Sequence, residues 1–213
     1  MNSTTIDWSS VKEYVVILKE ITVALAALSA AIFAYLGLST WRKELKGKAE
    51  YEKAKEVLKA VYKVREGFKH VRNPVIWSYE YPEEMRDHWG HLKKESEYEG
   101  TAHVYEQRWK VLGEAFNDLE EKTLEAQVEW GPEFENIIRP LRECRATLLT
   151  TIRMMLERKK HPKEFSQLNL EESQKETSVL NYIGSDSKYD KFTPDIDKEI
   201  AEFEKKLRPH IRR

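Results

Sequence analysis

The sequence predicts an all-α protein: an N-terminal transmembrane helix that continues into a stalk, then an antiparallel helical bundle. Three observations carry this prediction. Residues 21–41, ITVALAALSAAIFAYLGLSTW, run for twenty-one positions without a charge. Four later stretches repeat apolar residues at spacings of three and four, the period of an amphipathic helix. No stretch sustains the apolar and polar alternation of a half-buried strand.

The mean hydropathy of −0.69 and a charged fraction of 34% describe a polar chain on average, so the charge has to be divided along its length. Residues 1–41 carry a net −1. Residues 42–72 hold eleven Lys or Arg against five Glu, a net +6, and residues 73–213 carry −6. The near-neutral total is a cancellation between a basic neck and an acidic body. Cys144 is the single cysteine, which excludes an internal disulfide and a cysteine-pair zinc site. Leu141 and Leu148 are its neighbours at helical spacing, so it reads as a packed thiol.

A helix over residues 21–41 would be about 31 Å long at ~1.5 Å per residue, which matches a hydrocarbon core of ~30 Å. Its few polar residues, Thr22, Ser29, Ser39 and Thr40, carry hydroxyls that can bond back to the helix. Ser10 and Glu13 have the spacing of a capping box, which places the helix start in residues 1–20, a short extracytoplasmic or interfacial segment. Trp8 and Tyr14 lie at one boundary and Tyr35 and Trp41 near the other, as aromatic residues do at membrane interfaces. Arg42, Lys43, Lys46 and Lys48 follow the span against Lys12 and Lys19 before it, which predicts a cytoplasmic body over residues 42–213. The same cations would be drawn to anionic headgroups. Ala26, Ala30 and Ala34 recur every four residues and could bring two spans into close contact.

The neck, 42–72, carries a first stripe at Ala54, Val57, Val61, Val64, Phe68 and Val71, with Gly47 the place for a bend. Asn73-Pro74 ends it, because the residue before proline leaves the helical region. Residues 73–91 read as an irregular aromatic segment with a short helix from Glu83. A second stripe runs Tyr105, Trp109, Leu112, Phe116, Leu119, Thr123, Ala126 and Trp130, and Gly131-Pro132 stops it. A third begins at once with Phe134, Ile137, Leu141, Leu148, Ile152 and Met155, an antiparallel hairpin partner for the second. A last helix from about Pro194 carries Ile196, Ile200, Phe203 and Leu207. Residues 161–193 read as a long polar loop with one apolar patch at Val179, Leu180, Tyr182 and Ile183.

Motifs for chemistry are lacking. The sequence contains no phosphate-binding glycine loop, no dinucleotide fingerprint and no H-E-x-x-H, and no histidine has Glu three residues before it as di-metal bundles require. Glu84, His88 and His91 would share one helical face, but nothing in the sequence supplies a partner to orient them, so no metal, cofactor or catalytic residue is assigned and the chain reads as a non-enzyme. Nucleic acid is disfavoured as a partner because the body is acidic and lipid phosphates would compete for the neck. The expected partners are the lipid bilayer and either another protein or a second copy of the chain.

The run WRKELKGKAEYEKAKEVLKAVYKVREGFKHVRNP after a single span, followed by VYEQRWKVLGEAFNDLEEKTLEAQVEWG, LRECRATL and LRPHIRR, resembles an uncharacterised family of small bacterial proteins with one N-terminal membrane helix. That resemblance implies a bacterial inner-membrane, single-pass protein and carries over no catalytic residues. The expectation is a membrane-anchored interaction or adaptor module, alone or as an oligomer. The alternative is a membrane-perturbing effector of an antiviral or toxin system, assembled through its span.

Overall fold

The structure, a computed structural model, describes residues 8–165 and 167–211. Side chains are described from Tyr14 onward, apart from Val15, Glu133 and Glu135. The expected capping box at Ser10 and Glu13 and the side chain of Trp8 lie outside that set. Six α-helices account for the described fold: α1 Trp8–Val71, α2 Glu97–Trp130, α3 Glu133–Ile137, α4 Arg139–Lys160, α5 Leu170–Leu180 and α6 Phe192–Ile211. No strand occurs among the described residues, and Arg86 and Leu92 form one isolated antiparallel bridge. The chain divides into two compact units, one ending at Ala49 and one spanning Glu50–Arg213.

The first unit is the N-terminal part of α1, and helical structure continues through Gly47. This helix includes a window of mean hydropathy 2.2, none of it buried against the rest of the protein. It is long and apolar enough to cross a membrane. Thr22 Oγ1 donates to Leu18 O and Ser29 Oγ to Leu25 O, both at 2.8 Å, so these hydroxyls are satisfied within the helix.

The second unit is built from the remainder of α1 with α2, α4 and α6. Val57, Val61, Val64 and Phe68 of α1 meet Leu112, Phe116 and Leu119 of α2, Leu141, Leu148 and Ile152 of α4, and Ile196, Ile200, Phe203 and Leu207 of α6 in one core. Burying each such side chain stabilises the fold by roughly 1.5–3 kcal/mol. Phe68 stands edge-on to Phe116 and to Phe192, with centroids 5.8 and 6.4 Å apart, an arrangement that matches the ring quadrupoles. Close approach of α1 and α2 depends on Gly67, where a Cβ would lie 2.9 Å from Leu112 Cδ1 and 3.2 Å from Leu112 Cα. Gly131, at φ 105°, ends α2 in a conformation that residues with a Cβ rarely adopt.

Three expectations need correction. The third stripe is not one helix: α3 stops at Ile137 and α4 starts at Arg139, because Pro140 has no N–H to give Asn136 and its ring would strike that carbonyl. The long loop over 161–193 contains α5. Asn169 Oδ1 accepts from Glu172 N at 2.9 Å and Glu172 Oε2 from Asn169 N at 3.0 Å, a capping box. Val179 and Leu180 of the apolar patch are buried, while Ile183 is half exposed. Finally, α6 begins at Phe192, two residues before Pro194, because Asp190 caps it by accepting from Thr193 N at 2.9 Å.

Candidate interaction surfaces and the buried arginine clamps

Of the residues singled out at the membrane interfaces and on the small-residue face of α1, those whose side chains are described are presented outward. Tyr14 is 68% exposed and Trp41 57%, and Arg42, Lys43, Lys46 and Lys48 are exposed on the helix beyond the apolar run. Ala26, Ala30 and Ala34 are likewise exposed, one turn apart.

The last basic residue of the neck is buried in the body. Arg72 is 1% exposed, and its guanidinium gathers five acceptors. Nε donates to Val179 O at 2.8 Å, Nη1 to Thr193 Oγ1 at 2.7 Å, and Nη2 to Ser178 O, Asn181 O and Asp190 Oδ1 at 2.9, 3.1 and 2.8 Å. Three of these acceptors are carbonyls at the end of α5, which no further turn of helix satisfies. Two belong to the cap of α6. One side chain therefore ties α1, α5 and α6 together. Burial pulls the guanidinium below its ordinary pKa, and Asp190 opposes that shift. Burial also pushes the Asp190 carboxyl up, but the Thr193 hydroxyl, the backbone N–H groups of Ile183 and Thr193, and Arg72 outweigh it and bring its pKa down to about 2.

Arg108 of α2 does the same for the segment between α1 and α2. It is 3% exposed. Its Nε and Nη2 grip Glu80 Oε2 and Oε1 at 2.7 and 2.9 Å, and Nη1 and Nη2 donate to Asn73 O and Val75 O at 2.6 Å each. A bidentate fork of this kind holds both distance and orientation. Neither clamp was singled out from the sequence, yet each has a signal there. Arg72 lies four residues after Phe68, and Arg108 four after Val104 and four before Leu112, so both occupy core positions on their stripes.

The presumed helix carrying His88 and His91 is absent. A 3₁₀ turn at Glu83–Met85 gives way to a turn in which Asp87 Oδ1 accepts from Trp89 N at 2.9 Å and His91 N at 2.8 Å. His88 instead packs on Trp89, with centroids 4.6 Å apart. Glu84, His88 and His91 thus lack the common helical face, and no group of three metal-ligating side chains occurs among the described residues.

A cleft of about 1060 Å³ opens between α4, α5 and the start of α6. Cys144, Val179 and Phe192 give it apolar lining, and Glu143, Asp195 and Glu199 add carboxylates beside the thiol. Burial, with help from those three carboxylates, pushes the Cys144 pKa up to about 11. A thiol held protonated is a poor nucleophile, in keeping with a packed cysteine. The cleft can accept a side chain or a short helix, and its position makes it depend on the Arg72 clamp that fixes the ends of α5 and α6.

No family model, curated protein or solved structure was found to match the chain.

Proposed function

We propose that the protein is a single-pass bacterial inner-membrane protein whose helical body, on the cytoplasmic side, is a non-catalytic interaction or adaptor module. The observation that carries the reading is the charge-free run of residues 21–41, whose side chains find no cover within the protein. An uncovered apolar surface of that length is unstable in water and stable in hydrocarbon. The flanking Arg42, Lys43, Lys46 and Lys48 support the orientation. In the body, the cleft between α4, α5 and α6 supports a binding role.

Two measurements test this. The full chain expressed in a bacterium stays in the membrane pellet through an alkaline carbonate wash, whereas a Leu25→Arg, Leu28→Arg, Ile32→Arg variant is released; release of the unaltered chain contradicts the anchor. In-cell crosslinking yields a discrete protein adduct that is lost in Thr147→Trp, which places a bulky ring in the cleft. The absence of any adduct would contradict the adaptor role. The rival effector reading is favoured only by the exposed Ala26, Ala30 and Ala34 face, and it requires a discrete oligomer of the detergent-solubilised chain that Ala30→Leu disrupts.

A further inference from the structure

We infer that the last turns of α6 are a docking surface for anionic lipid headgroups, a second point of membrane contact besides the span. The inference rests on the membrane reading above. It starts from a segregation of charge along one helix. From Phe192 to Glu204, α6 carries Asp195, Asp197, Glu199, Glu202 and Glu204 against Lys198 alone. From Lys205 onward the sign reverses: Lys205, Lys206 and Arg208 are followed by Arg212 and Arg213, with no acidic residue among them. The helix macrodipole accounts for a cation or two in a last turn, but not for five within nine residues of an otherwise acidic body.

Topology decides where this basic end lies. Helix α6 runs antiparallel to the part of α1 in its own unit. Thr193, at the start of α6, meets Arg72, and further on Glu204 Oε1 accepts from the Tyr62 hydroxyl at 2.9 Å. One turn and a half later His210 stacks on Trp130 at 4.5 Å. Glu129, beside Trp130, pairs with Lys53 at 3.5 Å. The basic end of α6 therefore returns to the end of the bundle where α1 enters it near Glu50. Chain connectivity keeps Glu50 within about 32 Å of Trp41, however the residues between them run.

The cations are available. Lys205, Lys206 and Arg208 are exposed, with Arg208 paired to Glu204 at 3.2 Å and Lys205 to Glu202 only at 3.9 Å. Glu125 and Glu129 of α2 are engaged by Lys53. Each basic residue brought to an anionic surface raises partitioning about fivefold, and the attraction fades within a Debye length. A headgroup phosphate in the plane of a bilayer is the occupant this cluster of cations favours, because the chain that carries them is tethered to that bilayer through the span.

The test uses the full chain in lipid nanodiscs of phosphatidylcholine alone or mixed with phosphatidylglycerol, with amide hydrogen exchange read over residues 205–211. We expect exchange there about tenfold slower in the anionic discs at low salt, a difference that disappears at high salt and in the Lys205→Gln, Lys206→Gln, Arg208→Gln variant. Unchanged exchange over Phe116–Ala126 shows that the variant is folded. Equal exchange in both lipids overturns the inference while leaving the anchor intact. Failure of the chain to enter either disc overturns the anchor, and the docking surface with it.

Discussion

Replacing Arg72 by Met is the perturbation with the largest effect derived from this structure. The substitution keeps most of the apolar stem and removes the fork. Asp190 retains its bonds from Thr193 N, Thr193 Oγ1 and Ile183 N, at 2.9, 2.7 and 3.0 Å, but loses the cation paired with it. The carbonyls of Ser178, Val179 and Asn181 lose the donor that satisfied them. Removing one partner of a buried ion pair costs roughly 3–5 kcal/mol, because the remaining charge stays buried without compensation. Orphaned carbonyls add about 1 kcal/mol or more each where water cannot reach them. The expected loss is therefore about 4 kcal/mol from the stranded charge alone and more wherever the carbonyls stay dry, read as a lower denaturant midpoint of the helical body by circular dichroism. Hydrogen exchange should show the damage first at α5 and the start of α6, since Arg72 joins those two elements to α1. Adding Asp190→Asn to the variant removes the stranded charge and recovers about 1 kcal/mol or more. A loss below about 1 kcal/mol for Arg72→Met, or an exchange increase centred on α2, would refute the clamp.

Other consequences follow from the same contacts. Arg108→Gln should release the segment between Asn73 and Ser96, giving faster exchange there while α4 and α6 are unchanged, at a cost of about 2–4 kcal/mol. The depressed pKa of Asp190 fixes an acid limb. Its folded value of about 2 lies below the ordinary one, so its contribution of about 2 kcal/mol is complete above pH ~4 and is lost as pH falls towards 2; Asp190→Asn should flatten that part of the stability profile. Cys144, raised to about 11, should react with iodoacetamide far more slowly than a free thiol at pH 8, with the rate still climbing at pH 10. A Cys144 that alkylates at the rate of free cysteine would contradict its packing beside three carboxylates.

The bundle was legible because its signal is periodic. Val57, Val61, Val64 and Phe68 repeat at helical spacing, as do Leu112, Phe116 and Leu119, and every one of them is buried. Local breaks were legible only in part. Gly131 announced the end of α2, but Pro140 sits inside an apolar stripe, and its effect on Asn136 is hidden unless the missing donor is counted. Helix α5 was missed because polar composition outweighed the N-x-x-E capping signal at Asn169 and Glu172. The arginine clamps were obscured for a related reason. A charged residue on an apolar stripe resembles an error in the pattern, and the acceptors come from distant positions, up to 121 residues away in sequence for Arg72 and 35 for Arg108. The charge reversal within α6 is plain in the sequence, but only the antiparallel packing against α1 brings its basic end back towards the Glu50 end of the bundle.

The most direct test of the central claim is the sidedness of the body. In cells expressing the full chain with an epitope inserted between the exposed residues Gln167 and Leu168, external protease on spheroplasts is predicted to leave the epitope intact, and the same protease on inverted membrane vesicles to remove it. Cleavage in spheroplasts, or recovery of the intact chain in the soluble fraction, would contradict the account.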